Sequence, residues 1–284
     1  MKLKNLLYAF LAVAALFACD PVDKDERFID VVNKTLGDDQ NDQKAPNEIT
    51  SAKRYVLLED YTGQLCPNCP GAAPIIKDLE QKWGKYFILV GIHAGNMAMG
   101  PMPGVNVLAL RTQEGDEYYN SVGTPAMPAG CINRVGSPEK IDKWISLVNG
   151  MIGQDAQLWL NVSNEYDEAT RSVKVTVNSK GFAAISGKLQ LWYIEDGLVG
   201  PQLLPDGGSN KTYVHNHVFR ASVNGTWGED FSLAKDEMKT ITREGVLNAS
   251  WNADNVSIVA FVYNDSGVLQ VTKAPVKPGT AVEE

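Results

Sequence analysis

The spacing of apolar side chains changes at residue 154, and this change limits the folds that the chain can adopt. From residue 154 to residue 284, apolar and polar residues alternate in short runs such as AQLWLNVSNEY, KLQLWYIED and NVSIVAFVYND. Successive side chains of a β-strand point to opposite faces, so this alternation predicts strands with one buried face. Turn signals such as DGGSN and NDSG separate the runs. We therefore predict an all-β antiparallel sandwich domain over residues 154–284.

Residues 53–153 show a different pattern, in which strand and helix candidates alternate. The runs YVLLEDY, YFILVGIH (86–93) and MPAGCINR (127–134) are typical of buried strands. One helix is predicted over CPNCPGAAPIIKDLEQKWG, and another over SPEKIDKWISLVNGMIG (137–153) with Ser137 as its N-cap. This order of elements predicts an α/β domain over residues 53–153.

The N-terminus is typical of an exported, lipid-anchored protein. A short lysine-containing segment precedes an apolar run that ends at Ala18 and is too short for a permanent membrane span. The run ends in LFAC, which resembles a bacterial lipobox. Residues 1–18 are therefore predicted to be a lipoprotein signal peptide, and Cys19 the lipidated residue. Ordinary signal cleavage with a free Cys19 is the alternative.

The rest of the chain is acidic. Residues 19–52 are polar and are predicted to be an acidic flexible linker. Removing residues 1–18 takes away two lysines and no acidic residue, so the formal net charge changes from −8 to −10. This charge argues against nucleic acid as a partner. The sequence therefore predicts an acidic body that is held at a membrane by its N-terminal lipid.

Cys66 and Cys69 form a CPNC pair at the predicted start of the first helix, directly after a strand. The N–H groups of a first helical turn and the helix dipole favour a thiolate at this position. A thiolate is the attacking species in disulfide exchange, and this spacing lets the second thiol close a ring on the first. The residues alone leave three interpretations open: a redox pair, half of a metal site, or a structural disulfide.

The segments LEDYTGQLCPNCPGAAP and VGTPAMPAG resemble the active site of thioredoxin-like proteins. The resemblance implies an exposed catalytic nucleophile at Cys66 and a more buried resolving thiol at Cys69. It also implies that Asp60 accepts the proton of the second thiol, with the neighbouring Glu59 as the fallback. A cis-proline that offers a backbone edge to the substrate is implied at Pro128. The predicted substrate-binding residues are Met127, Pro128 and Pro67.

A narrower resemblance covers residues 50–275. The segments YVLLEDYTGQLCPNCP, GIHAG, PAGCINR and YVHNHVFRASVNGTWGE resemble, in this order, the Omp28 family of outer-membrane lipoproteins. The resemblance implies a thioredoxin-like domain and a β-domain at the cell outer membrane, on its periplasmic or surface face. We predict thiol–disulfide exchange with thiol- or disulfide-bearing envelope proteins, without a cofactor. The alternative is a surface binding or adhesion protein that uses the β-domain, with the CxxC as a structural disulfide.

A zinc site is a further alternative, because Cys66 and Cys69 supply two of the four ligands that structural zinc needs. The other candidate ligands are Cys131, His93, His215 and His217. His215 and His217 are two residues apart on a predicted strand, so both would face the same side. The thioredoxin-like context explains the CxxC without metal, and we predict none. Cys131 is predicted to be a small buried core residue, with a third redox thiol as the alternative.

Overall fold

The computed structural model describes residues 41, 44–105 and 107–277. Within these residues the chain forms three α-helices and thirteen β-strands. The helices are α1 (Ala73–Trp83), α2 (Gln113–Ser121) and α3 (Ile141–Met151). The strands are β1 (Val56–Thr62), β2 (Phe87–His93), β3 (Ala129–Ile132), β4 (Leu158–Asp167), β5 (Ser172–Gly181), β6 (Ile185–Glu195), β7 (Leu198–Leu203), β8 (Ser209–His215), β9 (Val218–Ser222), β10 (Glu229–Leu233), β11 (Met238–Val246), β12 (Val256–Asn264) and β13 (Gly267–Pro275). None of the helices in this described part is long and apolar enough to cross a membrane.

The predicted signal peptide, Cys19 and most of the predicted linker lie outside the described residues. The last residues of that linker are packed rather than extended into solvent. Ile49 is fully buried, and it forms a small apolar cluster with Ala52, Ala156 and Trp159. Packing against the folded part of the chain therefore begins before residue 53.

An eight-stranded sheet runs through the molecule, with the order β13–β12–β6–β9–β2–β1–β3 and with β10 also paired to β6. β2 is parallel to both β1 and β9, and the other neighbours are antiparallel. Strands from both predicted domains thus share one sheet, and the Gly91 N–H donates to the His217 carbonyl at 2.8 Å where they meet. The domain boundary at residue 153 stays a prediction. Backbone hydrogen bonds of the shared sheet join residues before this boundary to residues after it.

β1 and β2 are buried on both faces, and this explains their unbroken apolar runs. On one face, Leu58 packs with Leu79 of α1 and Trp144 of α3 in a shared core cluster. On the other face, a second cluster joins β1 and β2 to C-terminal strands through residues such as Trp192 and Phe261. The parallel pair therefore lies between two helices and the β-rich half of the chain.

β4, β5 and β11 form a separate antiparallel sheet in the order β11–β5–β4. Its inner face includes Val175 of β5 and packs on the main sheet at Leu191 of β6 and Ile258 of β12. Alternate residues along β5 are buried, as the period-two pattern predicts. The molecule is therefore mostly β, with several antiparallel sheets, and the main sheet supplies the second layer of the sandwich.

β7 and β8 form a third, two-stranded sheet, which we call the hairpin. Neither these two strands nor β10 and β11 were predicted from the sequence, apart from the strand on which His215 was placed together with His217. The sequence analysis did identify the DGGSN turn signal, which lies between β7 and β8 and extends into the start of β8. Val199 and Val214 point outward from the hairpin and are 58% and 49% exposed. Apolar side chains that face solvent do not produce the pattern of a strand with one buried face. The sequence pattern therefore did not indicate these strands.

The predicted start of the first helix is wrong. Residues 66–68 lie in turns, Cys69–Ala72 form a 3-10 helix, and the regular helix begins at Ala73. Pro70 and Pro74 explain the delay, because each lacks the N–H donor that a helix interior needs and is accommodated in the first turn of a helix.

The predicted start of the last helix is also wrong. α3 begins at Ile141 after Lys140, and Ser137 does not cap it. Glu139 instead forms a β-bridge with Gly130 of β3. The chain therefore makes one further pairing with the sheet before it turns into the helix.

Candidate functional site

Cys66 and Cys69 lie just beyond the C-terminal end of β1 and are joined by a disulfide, with their Cα atoms 5.5 Å apart. Cys66 is 2% exposed and Cys69 is 6% exposed. The prediction of an exposed nucleophile at Cys66 is therefore wrong for the oxidised protein. The Cys66 N–H donates to the Gly63 carbonyl at 3.0 Å, so the pair lies in a turn and not in the first turn of an α-helix.

The loop after β2 supports this turn. The Leu65 N–H donates to the Met97 carbonyl at 2.8 Å. A Cβ atom on Gly63 would lie 2.1 Å from the same carbonyl oxygen, so only glycine fits at that position. The Gln64 side chain accepts a hydrogen bond from the Met99 N–H at 2.9 Å. The backbone on the N-terminal side of the disulfide is therefore held in one place.

The hairpin covers the disulfide. Gln202 is 3% exposed, and its Nε2 donates to the Cys66 carbonyl at 2.8 Å. The Leu203 N–H donates to the Gln64 carbonyl, also at 2.8 Å. The sequence analysis missed Gln202, and the DGGSN turn signal alone could not have shown that the hairpin folds onto the disulfide.

The Met127–Pro128 peptide bond is cis, the geometry that the resemblance implied for Pro128. β3 pairs with β1 so that Ala129 lies opposite Tyr61. Pro128 therefore lies at the end of the sheet from which the disulfide turn departs. Met127, Pro128 and Pro67 are all partly exposed. Their role in binding a substrate stays a prediction.

Asp60 lies on β1 with its carboxyl group in the interior. It is 6% exposed, and burial raises its pKa to about 7. Its Oδ1 atom has no hydrogen-bond partner among the described residues. A carboxyl group that titrates near neutral pH can both take up and return a proton. A pKa of about 7 therefore suits Asp60 to the proton-accepting role that was predicted for it.

Glu59 faces the opposite side of β1, where it pairs with Arg134. The Arg134 Nε lies 3.1 and 3.0 Å from the two carboxylate oxygens, and Nη2 lies 2.8 Å from Oε1. The guanidinium group also lies over the rings of Tyr263 and Phe261, 4.5 and 5.0 Å from their centroids. This pairing is incompatible with the predicted fallback role of Glu59 as a base.

A cavity of ≈ 920 Å³ lies between α1, the C-terminal ends of β1 and β2, and the hairpin. Asp60 and Cys69 line it together with His93 and His215. The two imidazole rings pack edge to face with their centroids 5.3 Å apart. Burial lowers the pKa of His93 to about 3 and also lowers the pKa of His215, so both rings are neutral at physiological pH. The cavity thus brings one cysteine of the pair together with an acid and two neutral imidazoles.

His215 and His217 do not share a strand face, and that prediction is wrong. His215 ends β8, whereas His217 follows it with a φ of 55° and lies outside the strands. His217 lies between two carboxylates at the cavity mouth, with Nε2 2.9 Å from Glu80 and Nδ1 3.3 Å from Asp196. Over residues 44–105 and 107–277, no group of three His, Cys, Asp or Glu side chains is placed to hold a metal ion.

Cys131 is a free cysteine on β3 and is 4% exposed. It packs in the core cluster that contains Tyr61 and Trp192. Burial raises the pKa of the thiol to about 12, so the thiolate that disulfide exchange needs is suppressed. The prediction of a small buried core residue is confirmed.

Solved structures of several proteins are similar to this chain. HBP35 of Porphyromonas gingivalis matches 82% of this chain and 79% of its own, with 18% identity and a TM-score of 0.60. A protein of Agrobacterium tumefaciens matches 78% of this chain and 95% of its own, with 14% identity and a TM-score of 0.47. A domain of the outer membrane lipoprotein Omp28 from Porphyromonas gingivalis has 31% identity over 43% of this chain and 89% of that domain, with a TM-score of 0.30. At 18% identity, the likeness to HBP35 shows a shared fold alone.

One family model covers more than half of the chain. It is described as outer membrane protein Omp28 and matches residues 115–280. No curated protein matches the chain as a sequence relative. The matched segment runs from α2 to the end of β13 and includes Arg134 and the hairpin, whereas Cys66 and Cys69 lie before it. The chain belongs to the Omp28 family of outer membrane proteins.

Proposed function

We propose that this protein exchanges disulfides with exported proteins of the cell envelope through Cys66 and Cys69. One observation carries the proposal: Cys69 lines the same cavity as the buried Asp60 carboxyl group, whose Oδ1 has no partner among the described residues. Burying an acid without a partner costs stability, and a structural disulfide gains nothing from it. A buried acid with a pKa of about 7 beside a cysteine pair supports proton transfer during exchange.

We interpret residues 53–153 as a thioredoxin-like unit around this site. β1 and β2 are parallel with α1 between them in sequence, and β3 is antiparallel to β1. The cis bond at Pro128 immediately precedes β3, and α1 and α3 contribute to the same core cluster. In this interpretation Met127 and Pro128 offer a backbone edge to an extended substrate, and Pro67 contacts it from the disulfide turn.

The proposed reaction begins from the reduced protein. The Cys66 thiolate attacks one sulfur of a partner's disulfide, which forms a mixed disulfide and releases the partner's other sulfur as a thiolate. Asp60 takes the proton of the Cys69 thiol, and the Cys69 thiolate then attacks the Cys66 sulfur. The Cys66–Cys69 bond forms and the partner leaves with two thiols. Two electrons pass to the partner, and the reverse sequence oxidises a partner dithiol.

Access to Cys66 requires the hairpin to move, because Cys66 is buried beneath it. The hairpin forms its own two-stranded sheet, and the hydrogen bonds of Gln202 and Leu203 attach it to the disulfide turn. Such bonds contribute about 0.5–1.5 kcal/mol each, so opening is within thermal reach. In this proposal the partner's chain takes the place of the opened hairpin.

The proposal includes a lipid anchor at Cys19, which would hold the folded body among exported proteins. Firm anchoring by acyl chains is consistent with an outer-membrane family, since each buried methylene contributes about 0.8 kcal/mol. Cys19→Ser should move the protein from the membrane fraction to the soluble fraction. A Cys19→Ser protein that stays in the membrane fraction would refute the anchor.

The test of exchange is a redox titration of residues 20–284 in thiol/disulfide buffers. The protein is alkylated and read by mass spectrometry, with Cys66 and Cys69 scored separately. A reversible pair with a potential above roughly −270 mV, and reactivity that depends on Asp60, would support the proposal. A pair that stays oxidised below about −300 mV would identify a structural disulfide and reject it.

The second candidate is a surface binding or adhesion protein in which the disulfide is structural. The observation that favours it is the burial of Cys66 at 2% exposure beneath Gln202. Under this alternative, Cys66→Ser should lower the stability and leave binding by the β-rich half intact. Trapping of a mixed disulfide with an envelope protein by Cys69→Ser would argue against it.

A further inference from the structure

The floor of the cavity carries three buried polar atoms that lack hydrogen-bond partners among the described residues. They are Asp60 Oδ1, His93 Nδ1 and His215 Nε2. These residues are 6%, 5% and 5% exposed. A buried polar atom without a partner costs about 1–3 kcal/mol. A fourth residue of the lining, His217, also has a buried Nδ1 without a hydrogen-bond partner in this part of the chain. The three floor atoms together indicate a ligand that supplies the missing partners.

The unpartnered nitrogens of His93 and His215 can each act as a hydrogen-bond acceptor. Burial lowers the pKa of each ring, and the backbone carbonyl of Gly91 for His93, and of Pro201 for His215, opposes this shift as an acceptor. A backbone bond that raises the pKa of a histidine is one in which the ring N–H donates to a carbonyl. A neutral imidazole has one N–H and one lone pair, so each ring can present its unpartnered nitrogen as an acceptor by keeping the N–H on its other nitrogen. Together with Asp60, the floor offers three acceptors.

Apolar side chains also line this cavity. Ile76 of α1 and Leu89 of β2 form part of its wall, and Lys77 stands exposed at the outer end. Glu80 and Asp196 lie at the mouth, where His217 lies between them. The cavity thus combines an acceptor-rich floor with an apolar wall and an open, charged entrance.

We propose that this cavity binds a primary alkylamine, with the ammonium group on Asp60, His93 and His215 and the alkyl chain along Ile76 and Leu89. An ammonium group has three donors and no acceptor, which matches a floor of three acceptors. The source is either a free amine or the side chain of a lysine. The site shares Asp60 with the proposed exchange reaction, and the cavity has this form while the disulfide is closed.

Two other ligand classes fit this floor less well. An anion would need donors, which the three unpartnered floor atoms do not supply, so it would have to bind elsewhere in the lining, near Lys77 or Lys273. A metal ion needs ligand atoms at about 2.0–2.3 Å, whereas an ammonium nitrogen accepts partners at about 2.7–3.0 Å and so tolerates a wider ring of acceptors. The described ranges contain no group of three side chains close enough for a metal.

The experiment is isothermal titration calorimetry on oxidised residues 20–284 at about pH 8. The probes are 1,5-diaminopentane and N-acetyl-lysine methylamide, and each has a matched neutral control, pentane-1,5-diol and the norleucine analogue. Binding of at least one amine and of neither control is expected. Tight binding of the diamine alone would identify a free amine as the ligand, and equal binding of the lysine derivative would identify a polypeptide side chain.

Substitutions of floor residues test whether the amine binds at the floor of the cavity. Asp60→Asn and His215→Gln should each weaken amine binding about tenfold or more, since each removes a bond to a charged donor. The matched control Lys77→Gln, at the exposed rim, should bind at least as well as the wild type. Thermal unfolding of each variant shows that it is folded before its affinity is compared.

Three results would overturn the proposal. They are no binding of either amine to the folded wild type, equal binding of amine and diol, or unchanged affinity in folded Asp60→Asn and His215→Gln. Binding of Zn²⁺ alone, with loss of that binding in His215→Gln and no binding of amines, would assign the cavity to a metal. None of these results alters the redox titration, so the two proposals can fail separately.

Discussion

Asp60 and Glu59 are adjacent acids on β1, and the two faces of the strand give their carboxyl groups different chemistry. Glu59 meets the guanidinium of Arg134, which bonds both of its oxygens. Asp60 lies in the cavity, where burial raises its pKa to about 7. Glu59 therefore stabilises the fold through its ion pair, whereas the carboxyl group of Asp60 is available to exchange a proton or to bind a ligand.

Asp60→Asn should remove a pH dependence from the free energy of unfolding. Burial raises the pKa of Asp60 from 3.8 to about 7, so between these values the folded protein keeps a proton that the unfolded chain has lost. Wild-type stability should therefore fall as the pH rises from about 4 to about 7. The asparagine variant should lack this slope. Above about pH 8 it should be more stable than the wild type by a few kcal/mol, the order of magnitude that corresponds to such a pKa shift. Urea unfolding at several pH values measures both slopes, and equal slopes in the two proteins would contradict this account.

Arg134→Ala should destabilise the protein by about 3–5 kcal/mol, because it leaves the carboxylate of Glu59, which is 1% exposed, without its partner. Lys188→Ala is the matched control. It removes an ion pair with Asp230, a residue that is 94% exposed, and should cost no more than about 1 kcal/mol. Urea unfolding at neutral pH compares the two variants. Equal losses of stability would mean that Arg134 does not hold Glu59 in place.

The elements differ in how much of them the sequence could predict. β1 and β2 were predictable because both faces of each strand are buried, which requires unbroken apolar runs. The CPNC pair and the proline before β3 were also predictable, since both lie in local motifs. The burial of Cys66 was not, because Gln202 is 136 residues away in sequence. On β7, Gln202 is buried and Val199 is exposed, which reverses the usual distribution of polar and apolar residues. The sequence therefore gives no indication that the hairpin covers the disulfide.

Gln202→Ala should make the disulfide more reactive by loosening the hairpin. The variant loses the hydrogen bond to the Cys66 carbonyl, worth about 0.5–1.5 kcal/mol, so the open population should rise about twofold to tenfold. Reduction of the disulfide by dithiothreitol, followed by alkylation and mass spectrometry, measures this as a rate. Val199→Ala, on the exposed face of the same hairpin, should leave the rate unchanged. Equal rates in all three proteins would show that the hairpin does not control access.

At the scale of the whole molecule, the two halves of the chain share a sheet and a core. Asn133 accepts the Leu57 N–H through its side chain at 2.8 Å, and its carbonyl accepts the Val268 N–H at 2.7 Å. The Gln270 side chain accepts the Tyr55 N–H at 2.8 Å. These bonds link β1 and the residue before it to β13, the last strand among the described residues. The sequence could not predict this contact, because the change in periodicity at residue 154 is the usual sign of two separate domains.

Cutting the chain at residue 153 tests whether the halves are domains. The fragment 44–153 keeps the core cluster of β1, β2, α1 and α3, but it exposes the face of β1 and β2 that packs on Trp192 and Phe261. The fragment 154–277 keeps the whole sandwich core, so it should unfold cooperatively and bind a hydrophobic dye at its uncovered face. The fragment 44–153 alone should show no cooperative transition, and mixing the two should restore one and reduce dye binding. If fragment 44–153 unfolds at the temperature of the intact protein without dye binding, the two halves are independent domains and the shared core contributes little to stability.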